Sequence, residues 1–183
     1  MKLDIVNKNR VYDGFIKVDV LDIKLPSGQV IKRDVVKKQN AVAIVAFTDN
    51  NELYLTKQPR AGRDELEAVE IPAGIINEDE TPVEAARREL LEETGCEVTK
   101  DLIPLGKYYP DPACATGVTY MFLALGVKKK QDLHLDYDEC LECFHVTIGE
   151  ALKLIDDEVL IDSNSLLTID RATRYLDTYI SGI

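Results

Sequence analysis

Glu80, Arg88, Glu89, Glu92 and Glu93 stand within fourteen consecutive residues, preceded by Gly74 and closed by Gly95. Carboxylates gathered this densely are suited to hard divalent cations. Mg²⁺ takes carboxylate, carbonyl and water oxygens in an octahedral arrangement. The chain has two histidines, which argues against a zinc site of the usual kind. The plain alternative is a solvated acidic helix face.

A helix must carry these groups, and its ends can be read. Thr81-Pro-Val-Glu84 has the spacing of a capping box, with Pro82 at the first helical position. Gly95 sits where a left-handed residue usually ends a helix. The spacing therefore predicts a helix over 82–94. With Glu89 at zero on a wheel of about 100° per residue, Glu92 falls near 300° and Glu93 near 40°. The three share one face, and Val83, Ala86 and Leu90 form an apolar stripe beside it. Arg88 precedes Glu92 by four residues, so the two can pair. Glu92 and Glu93 lie near the C-terminal end, where the helix dipole disfavours negative charge. A compensating cation is expected there.

Around this helix the chain alternates strands and helices. Phe15 to Leu25 and Val30 to Val36 read as a β-hairpin around the turn Pro26-Ser-Gly-Gln, its apolar pattern shifting phase near Leu21. Such a hairpin is marginal alone and must pack on something. Residues 1–39 are expected to form this appendage and 40–183 the main domain. Ala41–Phe47 and Tyr120–Val127 are apolar runs of the kind buried on both faces. Leu53–Gln58, Leu105–Tyr109 and Leu141–Val146 read as further strands. Thr147-Ile-Gly-Glu150 is a second capping box, and Ser163–Tyr179 a longer amphipathic helix. This order predicts a mixed α/β sandwich.

Composition narrows the function classes. The chain has 183 residues, enough for one domain with a small appendage. Its net charge of −11 disfavours broad binding to nucleic acid or anionic membranes. The start lacks an apolar run after a basic stretch, so no signal peptide or membrane span is expected and the default location is cytoplasmic. Cys140 and Cys143 have Cys-x-x-Cys spacing without a second pair, so all four cysteines are expected to be reduced, inert thiols. Lys128, Lys129 and Lys130 read as a solvated strand end rather than a phosphate contact.

The segment 74–96 resembles the Nudix box, Gly-x5-Glu-x7-Arg-Glu-U-x-Glu-Glu-x-Gly-U, with U an aliphatic residue. Gly74, Glu80, Arg88, Glu89, Leu90, Glu92, Glu93 and Gly95 match, and Cys96 in the last position departs slightly. The resemblance implies an α/β/α sandwich with a mixed sheet. It implies metal binding by Glu89, Glu93 and the Ala73 carbonyl, with Glu92 as a third carboxylate. Arg88 would orient this cluster with Glu80 as its structural partner. The implied cofactor is Mg²⁺, for which Mn²⁺ can substitute.

Features outside the box resemble the ADP-ribose pyrophosphatases. They are Tyr12-Asp-Gly-Phe15, Lys32-Arg-Asp-Val-Val36, Gln58-Pro-Arg60, Glu70-Ile-Pro-Ala-Gly74 and Pro112, 16 residues beyond Cys96. The implied substrate is ADP-ribose or a related nucleoside diphosphate sugar, and the implied assembly a homodimer. Phe15 would stack on adenine, or else serve as a hairpin core residue. Arg33 and Arg60 would clamp phosphate or ribose, since guanidinium offers a rigid fork of donors. Glu70 and Gly74 would line the substrate site, although a strand-end salt bridge suits Glu70 equally. Glu139 would be the general base, with Asp138 or Glu92 as alternatives. Pro59 before Arg60, and the missing glycine and glutamate after Pro112, depart from the subfamily pattern. They leave GDP-mannose-type activity open. A non-hydrolytic ADP-ribose or NAD sensor and a house-cleaning nucleoside triphosphate pyrophosphatase are the other readings.

Overall fold

The computed structural model describes residues 3–62, 67–133 and 140–180. The chain divides into two compact units, one of residues 1–40 with 108–118, the other of 41–107 with 119–183.

The first unit is a three-stranded antiparallel sheet of β1 (Asp4–Asp13), β2 (Lys17–Lys24) and β3 (Val30–Lys37), in that order. β1 was not legible as a strand. Its sequence has little apolar alternation and every residue in it is exposed. It is held by pairing with β2, interrupted by irregularities between Ile5 and Asn7 and between Arg10 and Tyr12. β2 pairs with β3 without any slip, including Leu21 opposite Arg33. The phase shift near Leu21 is therefore no break in the strand. Apolar residues simply move from one face to the other, and the second face buries Ile23 together with Asp19. Asp19 is 1% exposed and pairs with Arg10 and with Lys8 Nζ at 3.1 Å. The segment 108–118 is fastened to β3. Val36 N–H donates to the Cys114 carbonyl at 2.8 Å, and Thr116 N–H donates to the Val36 carbonyl at 2.9 Å.

The second unit is an α/β sandwich. Its strands are β4 (Ala41–Thr48), β5 (Glu52–Gln58), β6 (Ala68–Glu70), β7 (Ala73–Ile75), β8 (Cys96–Glu97), β9 (Ile103–Tyr108), β10 (Thr119–Lys129) and β11 (Glu142–Thr147). Its helices are α1 (Pro82–Thr94), α2 (Ile148–Asp156) and α3 (Ser163–Ile180). The sheet runs β11-β5-β4-β10-β8, with β6 on β5, β7 on β4 and β9 on β10. β4 and β10 pair in parallel, whereas β10–β8, β11–β5, β4–β5, β4–β7 and β5–β6 pair antiparallel, so the sheet is mixed.

The apolar run of β4 is buried on both faces, as its sequence demands. Val42, Ile44 and Ala46 pack with Ala85, Ala86 and Leu90 of α1 and with Phe122 of β10. α3 packs on the same central strands, burying Ile169 and Ala172. The stripe of α1 is rotated from the expected one. Val83 is 43% exposed, while Ala85, Glu89 and Glu93 turn inward.

Both capping boxes form as read. The Thr81 hydroxyl accepts from Glu84 N–H, and that of Thr147 accepts from Glu150 N–H. Gly95 ends α1 at φ 67°, with its N–H on the Leu91 carbonyl. A side chain there would also overlap the Gln131 carbonyl. The three lysines at the end of β10 all have local partners. Lys128 faces Asp49, Lys129 donates to the Thr94 carbonyl, and Lys130 pairs with Glu97 at 2.6 Å. All four cysteines are free, and burial pushes the Cys143 thiol up to about 12.

Candidate metal site

The backbone of β7 and one face of α1 make the site. Gly74 lies where the two elements approach most closely, since a Cβ there would overlap the Glu89 carboxylate. Any side chain would push that acid off the strand. One turn later, Glu93 Oε2 accepts from the Ala73 N–H at 3.0 Å. Glu89 and Glu93 are 8% and 3% exposed, so two acids four residues apart lie buried against three residues of strand.

Arg88 ties the loop to the helix. Its Nε donates to Glu80 Oε1 at 2.6 Å and its Nη2 to Glu80 Oε2 at 2.9 Å. Nη2 also donates to the Ile75 carbonyl at 2.8 Å. Nη1 donates to Glu89 Oε1 and to Glu92 Oε2, each at 2.8 Å. Glu80 in turn accepts from the Asn77 N–H at 3.1 Å. The guanidinium beside Glu80 holds that carboxyl at about 2, well below its usual range. The surrounding carboxylates raise Arg88 in the opposite direction.

Acids outnumber bases among these side chains. Glu80, Glu89, Glu92 and Glu93 are four acids beside the single guanidinium of Arg88, with Arg60 acting on Glu93 from the side of Glu70. The last turn of α1 contains no basic residue to offset the dipole. A divalent cation fits this surplus, and the all-oxygen donors suit Mg²⁺ or Mn²⁺ better than a softer ion. Among the described residues no three acidic, histidine or cysteine side chains form a ready cage. Glu92 is 37% exposed and shares Arg88 Nη1 with Glu89. Such a donor set suits Mg²⁺, which keeps several waters and shares its sphere with substrate oxygens.

Arg60 and Glu70 come together at the end of β6, with two residues between it and β7. Arg60 Nε donates to Glu70 Oε2 at 3.1 Å and Nη2 to the same oxygen at 2.6 Å. Glu70, Glu93 and Asp162 raise the Arg60 guanidinium against the opposing effect of burial. Phe15 is 100% exposed at the turn between β1 and β2, so it is no core residue of its sheet in this chain. Arg33 is exposed on β3 and donates to the Lys32 carbonyl at 2.9 Å. Pro112 is exposed within the 108–118 segment. Glu139 and Asp138 lie outside the described residues. The partners that orient Arg88, Glu80 and Glu93 are partly backbone groups, of Ile75, Asn77 and Ala73, which no sequence motif advertises.

Residues 37–165 match the NUDIX domain. The chain is 36% identical over 166 residues to an ADP-ribose pyrophosphatase of Bacillus subtilis (strain 168), covering 90% of this chain and 89% of the relative. It is 34% identical over 168 residues to a methanol dehydrogenase activator of Bacillus methanolicus, with the same coverages of 90% and 89%. Its fold is similar to the crystal structure of an ADP compounds hydrolase, with a TM-score of 0.86 at 23% identity, covering 98% of this chain and 96% of that one.

Proposed function

The chain belongs to the Nudix hydrolase family, and we propose that it hydrolyses the diphosphate of ADP-ribose or a related nucleoside diphosphate sugar, with Mg²⁺ as cofactor. Water adds to one phosphorus, the bridging P–O bond breaks, and AMP and a sugar phosphate leave. The observation that carries this reading is the pair Glu89 and Glu93, buried against the backbone of β7 beside Gly74.

Two phosphates repel an anionic nucleophile, and a bound divalent cation would neutralise their oxygens and acidify a water. Glu89 and Glu93 would hold that cation together with the Ala73 carbonyl, and Glu92 would join through water. Arg88 bridges the carboxylates of Glu89 and Glu92 through one nitrogen, Nη1, and ties them to the loop through Glu80. Because Glu80 stays ionised down to about pH 2, that tie holds throughout the neutral range. Arg60 is fixed by Glu70 and would present its remaining donors to a phosphate or ribose, with Arg33 and Phe15 completing the substrate contacts. Glu139 is assigned as general base, taking the proton of the attacking water. The protein mainly positions these partners.

The protein is proposed to work as a cytoplasmic homodimer. β1 is a sheet edge exposed along its whole length, and Leu3, Ile5, Val6, Val11, Tyr12 and Phe15 add exposed apolar surface. An edge of this kind calls for a partner. A monomer in light scattering would contradict it.

Incubation with ADP-ribose, GDP-mannose, ADP-glucose and NADH, with Mg²⁺ or Mn²⁺, tests the activity. Release of AMP from ADP-ribose supports the reading, and release of pyrophosphate from nucleoside triphosphates in its place overturns it. The relative named as a dehydrogenase activator favours a second reading, in which the chain regulates another enzyme. ADP-ribose binding without AMP release would support that one.

A further inference from the structure

The strands that carry the site are joined by Ile71 and Pro72, which belong to neither β6 nor β7. This short segment must be held in place, because Ala73 next to it grips Glu93 and Glu70 before it grips Arg60. Pro72 has no N–H of its own to anchor the chain. Its carbonyl accepts from the Ile44 N–H at 2.9 Å, and the Glu70 carbonyl accepts from the Thr56 hydroxyl at 3.3 Å. The Ile71 N–H donates elsewhere, to Ser165 Oγ at 2.9 Å on helix α3, 94 residues away.

Ile71 and Ser165 are 1% and 0% exposed, so water cannot replace this bond without opening the core. Ser165 is itself fixed. It stands at the third position of α3, and its N–H donates to Asp162 Oδ1 at 3.0 Å in an N-cap arrangement. Asp162 also accepts from the Leu166 N–H through its carbonyl at 3.0 Å.

We propose that Ser165, held by the Asp162 cap, is a positioning residue for the metal-bearing carboxylate Glu93. The start of α3 sets the height of Ile71, Ile71 sets Ala73, and the Ala73 N–H aims Glu93. The proposal rests on the metal-site reading above. It adds to that reading a residue outside the 74–96 segment that bears the site's carboxylates.

The test uses the full chain with Mn²⁺ as probe, comparing wild type, Ser165→Ala and Asp162→Asn. Asn still caps the helix, so Asp162→Asn serves as the control that retains the tether. In Ser165→Ala, amide exchange at Ile71 and Ala73 rises at least about tenfold, as a buried N–H loses its acceptor. Mn²⁺ affinity, read by electron paramagnetic resonance of the free ion, falls about tenfold, the lower range for loss of an outer-shell partner. Asp162→Asn stays within about twofold of wild type in both. Unchanged Mn²⁺ affinity in folded Ser165→Ala overturns the proposal, even if exchange rises. Should Ser165→Ala not fold, Asp162→Ala is read by the same two criteria. A wild-type chain that binds no Mn²⁺ sinks the metal reading as a whole, whereas a failure confined to the variant sinks only the role of Ser165.

Discussion

Buried acids occur in both units, and they are compensated in opposite ways. Asp19 in the N-terminal sheet meets two cations, Lys8 and Arg10. Glu89 and Glu93 on α1 belong to a cluster in which Glu80, Glu89 and Glu92 adjoin the Arg88 guanidinium while Glu93 accepts from the Ala73 N–H. Removing a charge from water is costly unless it is paired. The charge of Asp19 is matched within its own sheet by Lys8 and Arg10. In the α1 cluster acids outnumber bases among the paired side chains, with Glu89 and Glu93 buried and Glu80 and Glu92 partly exposed, which suits the cation proposed there. Burial of an acid is therefore not by itself the mark of a site; the groups that face the acid distinguish the two places.

The sharpest way to break this comparison is to neutralise an acid in each unit. Glu93→Gln or Glu89→Gln should lower kcat/KM for ADP-ribose by about a hundredfold to a thousandfold, the scale of losing one preorganised electrostatic group. Steady-state kinetics over a Mg²⁺ series would check it, and turnover within threefold of wild type would refute the assignment. Gly74→Ala comes next. The added methyl displaces the Glu89 carboxylate, and a misplacement on the order of 1 Å costs about a hundredfold in turnover. Gly28→Ala is the matched control, since its Cβ meets no atom nearby and only backbone strain at φ +85° remains. That variant should lose some stability and keep its turnover.

A third effect is smaller and appears in stability. Glu80 is held at about 2 against an ordinary value of 4.5. Its folded form thus favours the ionised state. The resulting stability is complete above about pH 4.5 and is lost as pH falls through about 2. It amounts to about 1–3 kcal/mol once screening of a partly exposed pair is allowed for. Urea midpoints measured between those pH values should fall steeply for wild type and more gently for Glu80→Gln; equal slopes would refute the assignment. The smallest catalytic effect is expected for Asp19→Asn. The guanidinium of Arg10 keeps Asp19 below its usual range, so the substitution destabilises the N-terminal sheet at neutral pH. Turnover per folded molecule should stay within about twofold of wild type, because the pair is structural. A large drop in kcat at full folding would erase the contrast between the two units.

Much of this is legible in the sequence. Helix α1 runs over the expected residues because its signals are local: a capping box at Thr81, a proline at 82 and a left-handed glycine at 95. The buried strands β4 and β10 were legible for a similar reason, since an unbroken apolar run has one stable environment. β1 was hidden because its pairing with β2, not its composition, makes it a strand. The inward face of α1 was misread by part of a turn. Periodicity located the apolar stripe, but the approach of β7 turned Glu89 and Glu93 inward and left Val83 outside.

By itself, then, the sequence determined the kind of chemistry: glutamates at helical spacing, an arginine four residues from its partner, and glycines at both ends of the motif. These follow from the 3.6-residue turn and from capping, which act over a few residues. Only the tertiary structure decided which acids are buried and what aims them. The meeting of Gly74 with Glu89, of Ala73 with Glu93 and of Ile71 with Ser165 spans 15, 20 and 94 residues of chain. Distances of that kind are set by how β7 and α3 pack on the central strands, and no local pattern encodes them.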